Sequence, residues 1–201
     1  AEGEELVSYV PEKKAEKLVP NPAKPALQPK DVPSNEQLYL TGLHLEQYRH
    51  ALYSPIDYYL EALRRDPGDI RNNNAYGLWL FRRGQFSESE KFFAKAIETL
   101  IARNPNPYDG EPYYNLGLAL KMQGKHQQAY DAFYKAIWNA AWQDTGFYSL
   151  AQIAAIWKKY SLALEHINKS LVRNYHHHKG RHLKITLLRK LGKLEQAKTF
   201  A

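Results

Sequence analysis

The sequence predicts an all-α fold, a solenoid of antiparallel helix pairs behind an extended proline-rich leader. Three observations predict it. Apolar residues recur at helical spacing from Asn35 onward, glycines fall where a first helix has to stop, and the pattern returns with a period of about 34 residues.

The leader, residues 1–34, comes first. Pro11, Pro20, Pro22, Pro25, Pro29 and Pro33 stand among Lys, Glu and Ala, a composition that resists helix and favours an extended tether. The preceding "ELVSYV" reads equally as a strand of another domain or as no element at all.

The repeats occupy residues 35–201, as about four and a half units. Tyr113, Leu116, Gly117, Leu120, Ala129, Phe133 and Ala136 define one unit, and the next repeats it in register as Phe147, Leu150, Ala151, Ala154, Ala163, Ile167 and Ser170. Aromatic or apolar places stay so, and small places stay small. Asn73, Tyr76, Gly77, Leu80, Ser89, Phe93 and Ala96 match at a 40-residue step, which puts six inserted residues in "RNPNPYDGEP" and the longest loop near 103–111. Earlier, Leu38, Gly42 and Leu45 lead to Tyr59, Ala62 and Pro67; at the end, Leu188, Gly192 and Ala197 begin a fifth unit.

Paired helices explain this pattern. A small residue at Gly117 lets the first helix approach the second, where Ala129 is expected opposite it, while Phe133 and Tyr113 are expected between adjacent pairs. Gly84, Gly124 and Gly192 sit at first-helix ends and are expected in the left-handed conformation.

Composition excludes several classes. The chain has no cysteine, which removes disulfides, thiolate metal sites and thiol nucleophiles. No stretch approaches the roughly 18–20 apolar residues of a bilayer span, and the first residues lack a signal-peptide pattern, so the expected setting is the cytoplasm with no membrane contact. The chain starts without methionine and stops soon after a new helix begins, and is expected to be a segment of a longer protein. From Lys158 onward, eleven Lys or Arg face two Glu, a net +9, so the rest of the +7 chain is −2. That end reads as a solvated basic face before it reads as a nucleic-acid surface.

The repeat resembles the tetratricopeptide repeat family over residues 35–201, most closely in the third unit. The resemblance implies a right-handed superhelix whose first helices line a concave groove, with the fifth position of each unit pointing into it. That column is Tyr39, Asn74, Tyr114, Tyr148 and His182, with Arg71, Leu78, Phe81, Arg82, Asn115, Leu118, Lys121 and Gln152 beside it. Tyrosines there offer rigid area with a polar tip, suited to a peptide, a neighbouring domain or a sugar; the alternative is that they pack between helices. The family's clamp on a C-terminal carboxylate is mostly missing, since only Asn115 matches while Asn74, Leu78, Thr145 and Ser149 fill other clamp positions. "RRDPGDIRNNNAYGLWLFRRGQF", "RNPNPYDGEPYYNLGLAL" and "AYDAFYKAIWNAAWQD" also resemble the C-terminal repeats of a large bacterial family with a β-rich, galactose-mutarotase-like N-terminal part. This second resemblance implies an accessory role beside a carbohydrate-active region.

Chemistry-bearing clusters are few. His178 and His182 are four apart, a spacing able to hold a metal, but no carboxylate or HExxH accompanies them, and a polar turn is the simpler reading. Asp109 and Glu111 flank Gly110 and read as a helix cap and a first-turn acid. Trp138 and Trp142 are expected to interlock successive units, with ligand stacking as the alternative. No phosphate loop or nucleophile motif occurs, so neither catalysis nor a cofactor is expected of this segment. The expected function is recognition, with a protein, a peptide or a domain of the parent chain in the groove.

Overall fold

The computed structural model describes residues 3, 5, 7–12, 22, 24–106 and 109–201. The leader stretch 13–21, with Pro20, and Pro107 and Tyr108 of the inserted loop lie outside the described residues. The described residues form ten α-helices: α1 Asn35–Gln47, α2 Pro55–Arg65, α3 Ile70–Arg82, α4 Phe86–Ile101, α5 Glu111–Met122, α6 His126–Ala136, α7 Gln143–Ile156, α8 Tyr160–Arg173, α9 His178–Lys190 and α10 Leu194–Phe200. Each helix packs on its neighbours in order, and α3 also touches α1 and α5. The result is a tetratricopeptide-type solenoid of five pairs, the last with a seven-residue second helix. Leu188, Gly192 and Ala197 bracket the turn of the fifth pair, which opens at His178. Glu5 and residues 7–10 of "ELVSYV" form no strand.

One notch repeats in each of the first three units. A Cβ on Gly42 would stand 2.5 Å from the Tyr59 ring, one on Gly77 2.7 Å from Phe93, and one on Gly117 2.6 Å from Phe133. The first helix therefore rests its backbone on a ring of the second. This corrects two expectations, because the residue opposite Gly117 is Phe133, not Ala129, and Phe133 lies within its own pair instead of between pairs. In the fourth unit the small residue is Ala151 and the buried partner Ile167, a larger first residue meeting a slimmer second one.

The turns within pairs follow the glycines. Gly84, Gly124 and Gly192 have φ of 76°, 75° and 73°. In each turn the next N–H reaches back to the helix: Gln85 to the Leu80 carbonyl at 3.1 Å, Lys125 to Leu120 at 3.0 Å and Lys193 to Leu188 at 2.9 Å. The fourth unit makes the same bond, Lys159 to Ala154 at 2.9 Å, but places Lys158 at φ 60° where these three have glycine, as the first unit places Arg49 at φ 49° with His50 bonded to Leu45 at 3.0 Å. A side chain in that conformation costs roughly 1–2 kcal/mol. Lys158→Gly removes this strain at the expense of a more flexible unfolded chain, and is expected to stabilise the protein by about 1 kcal/mol, read as a rise of a few degrees in Tm.

The leader's end belongs to the fold. Val32 is buried with Leu38, Leu45, Tyr58 and Ala62. The Tyr58 hydroxyl donates to the Leu27 carbonyl at 2.8 Å, and the Arg65 guanidinium donates to the carbonyls of Val32, Pro29 and Lys30 at 2.7, 3.1 and 3.0 Å. This segment caps the first pair, covering apolar surface that every other pair covers with its predecessor.

Candidate functional site: the concave groove

Four side-chain contacts bridge successive first helices and so mark the face they share. Arg71 on α3 reaches Glu36 on α1 at 2.6 Å, and Arg82 pairs with Glu46. The Asn115 amide on α5 donates to the Asn74 carbonyl oxygen on α3 at 2.9 Å, and Lys121 on α5 donates to Gln152 on α7 at 2.5 Å.

The face that carries the predicted groove column has three zones. At one end the Arg71 guanidinium lies 5.2 Å from the centre of the Tyr39 ring, and burial, then the nearby Glu111 carboxylate, push the Tyr39 hydroxyl pKa up. In the middle, Asn74 and Asn115 are buried and bonded to each other. Of the "NNN" run, Asn72 and Asn73 serve the helix start: Asn72 donates to Asp69 at 3.0 Å and Asn73 to the Pro67 and Asp69 carbonyls at 2.9 and 2.8 Å. Toward the far end, Gln152 accepts from Lys121 and donates to the Tyr148 hydroxyl at 3.0 Å, and burial lowers the Lys121 ammonium pKa. No acidic side chain pairs with Lys121 among the described residues.

Other predicted residues have different surroundings. Tyr114 stacks on Trp142 with ring centres 4.9 Å apart and leans on Phe133 at 5.5 Å, so most of its ring is spent on packing. Leu78, Phe81 and Leu118 are half-buried, Phe81 resting against Phe86 at 5.3 Å. His182 is exposed on α9 and lines, with His178, Tyr175 and Arg181, an open cavity of about 610 Å³. Among the described residues no three metal-ligating side chains come together.

The inserted loop is held firmly where it meets α5. The Asp109 carboxylate accepts the Glu111 N–H at 2.9 Å, and Gly110 fits where a Cβ would lie 2.7 Å from the Ala136 carbonyl and 3.0 Å from Trp142. Trp142 thus interlocks α5, the loop and α7. Trp138 does not: it is 60% exposed, with the Lys135 ammonium 3.7 Å above its ring.

Two features have no forewarning in single-residue patterns. Asp144 accepts from Ser170 at 3.0 Å and Asn174 at 2.8 Å, with His177 beside it at 3.3 Å, tying α7 to the α8–α9 turn. Buried His166 bonds the Tyr130 hydroxyl through Nε2 at 2.8 Å, and burial, then Lys169, lowers its pKa.

Comparison with known proteins agrees with the fold. Residues 69–137, the second and third pairs, match the tetratricopeptide repeat family. PilF of Pseudomonas aeruginosa has a similar fold, with a TM-score of 0.70 at 19% identity over 83% of this chain and 72% of that one. PilW, a type IV pilus biogenesis factor, gives 0.69 at 24% identity over 85% and 77%, and MamA 0.67 at 19% over 83% and 87%. At these identities the likeness is one of fold.

Proposed function

We propose that the chain is a recognition scaffold whose concave groove holds an extended polypeptide segment. The carrying observation is the Lys121–Gln152–Tyr148 row, which is bonded in place before any partner arrives and stands next to two exposed apolar side chains. Met122 and Ile156, at the same place in adjacent units, are 56% and 51% exposed. Pre-positioned polar groups avoid the ordering cost of binding, and the apolar pair supplies contact area. Known proteins of this fold give the reading context: one solved structure at 19% identity and a TM-score of 0.61, YrrB, is described as having an unusual peptide-binding site.

The bound segment has two sources, a separate protein or a neighbouring domain of a parent chain. The resemblance to repeats that follow a mutarotase-like region favours the second source in a carbohydrate-active parent. One experiment tests both. With benzoylphenylalanine replacing Ile156 and illumination in the source cells, we expect a cross-linked polypeptide whose yield falls at least fivefold with Lys121→Glu. A cross-link between chains identifies a separate partner, and one within a chain identifies a domain in cis. Equal yield from Tyr134, exposed on α6, or no response to Lys121→Glu, overturns the groove reading.

A further inference from the structure

One place on the second helices carries a ring in four of five units. It immediately precedes the residue that packs against the first helix in units one to four, and it is Tyr58, Phe92, His166 and, at the equivalent place of the fifth unit, Phe200. In the third unit it is Ala132. Each ring has company. Tyr58 bonds the leader, Phe92 meets Tyr76 edge-on at 4.7 Å, His166 stacks on Phe147 at 6.1 Å, and Phe200 lies under Arg181 at 4.8 Å and Lys184 at 4.1 Å.

Where the ring is missing, the surface opens into a slot of about 440 Å³. It lies between α4 and α6 over α5. Leu116 and Leu120 on α5 line it with Ala94 on α4 and Ala132 on α6, and Tyr113, Glu90, Gln128 and Asp131 complete its lining. The fourth unit shows what such a space accepts. Tyr113 holds the place that Phe147 holds there, and Glu90 the place from which Tyr130 reaches His166. Glu90 is already held: Gln123 and Lys125 donate to its Oε2 at 2.7 and 2.8 Å, which leaves Oε1 for a further donor.

We propose that this slot docks an aromatic side chain with an N–H edge, a tryptophan or histidine supplied by a partner polypeptide. The ring fills the volume over Leu116 and Leu120 and faces Tyr113 as His166 faces Phe147, while its N–H donates to Glu90. The site is on the outer face, away from the groove, so a partner holding both faces gains from the second contact without any change in the first.

The test is a titration of the isotopically labelled full chain with N-acetyltryptophanamide, read by amide chemical shifts. Expected are shifts at Ala94, Leu116 and Ala132, with none from N-acetylalaninamide. Ala132→His supplies the missing ring in cis and should weaken probe binding at least tenfold. Ala94→Tyr blocks the slot from the exposed wall and should do the same, which covers the case of a disturbed α6. Lys121→Glu, which disables the groove, should leave probe binding unchanged, so the two readings fail separately. Unshifted slot amides, or equal binding by wild type and both blocked variants, overturn the proposal.

Discussion

Gly117→Ala should destabilise the protein, and Phe133→Ile should restore most of what is lost. The new methyl carbon would lie 2.6 Å from the Phe133 ring, with α5 and α6 too firmly packed to part without cost. Overpacking of this kind costs roughly 1–3 kcal/mol, against which the better helix propensity of alanine returns up to about 1 kcal/mol. Phe133→Ile alone removes ring volume from a fully buried position and should cost about 2 kcal/mol in the cavity it leaves. Together the two changes reproduce the Ala151 and Ile167 pair of the fourth unit, where a larger small residue meets a slimmer partner. Urea unfolding of the four proteins of this cycle should give a favourable coupling of about 1–3 kcal/mol. Additive losses would mean that the notch is not the unit of packing.

The same notch explains why the fold is so legible. Glycine opposite a ring, alanine on the second helix and glycine at the turn recur because each first helix must rest on its partner at backbone distance. No other residues meet those demands at Gly42, Gly77 and Gly117. Repetition makes the demand visible. The groove is legible only in part, because position in a repeat says which way a side chain sets out and not what it meets. Tyr39 and Tyr148 enter polar contacts on the shared face, whereas Tyr114 goes to Trp142, which comes from the next connection and follows no repeat rule. The Asn74–Asn115 bond crosses the inserted loop, so the residues are 41 apart and outside the repeat register. The outer slot is hidden for a different reason. A missing side chain is a signal only against its neighbours' rings, and alanine at Ala132 looks ordinary in a helix read alone.

The leader reads as a tether, yet its end turns through a short 3₁₀ helix at Pro29–Asp31 and packs on the first pair. What composition cannot show is that the chain's own carbonyls are gripped from α2, since backbone acceptors leave no mark in a sequence. Arg65 is the residue that does it, with three carbonyls of the leader and Glu61 around a guanidinium that keeps its planar fork mostly covered. Arg65→Ala deletes all of these contacts and strands the carbonyls near an apolar cluster, so the loss should exceed that of an ordinary surface change. We expect about 2–4 kcal/mol, since hydrogen bonds to a charged group are worth roughly 1.5–3 kcal/mol and part of the loss is recovered by water. Arg65→Lys should recover little, because a point charge on a flexible stem cannot reach three carbonyls at once. The effect should also be local. Hydrogen exchange should rise in residues 27–34 and in α1 and α2, where Val32 and Tyr58 lose their cover, while α5–α8 stay protected. Uniform loss of protection along the array would instead make the first pair the keystone of the whole solenoid, and unchanged exchange in residues 27–34 would remove Arg65 from the anchoring role.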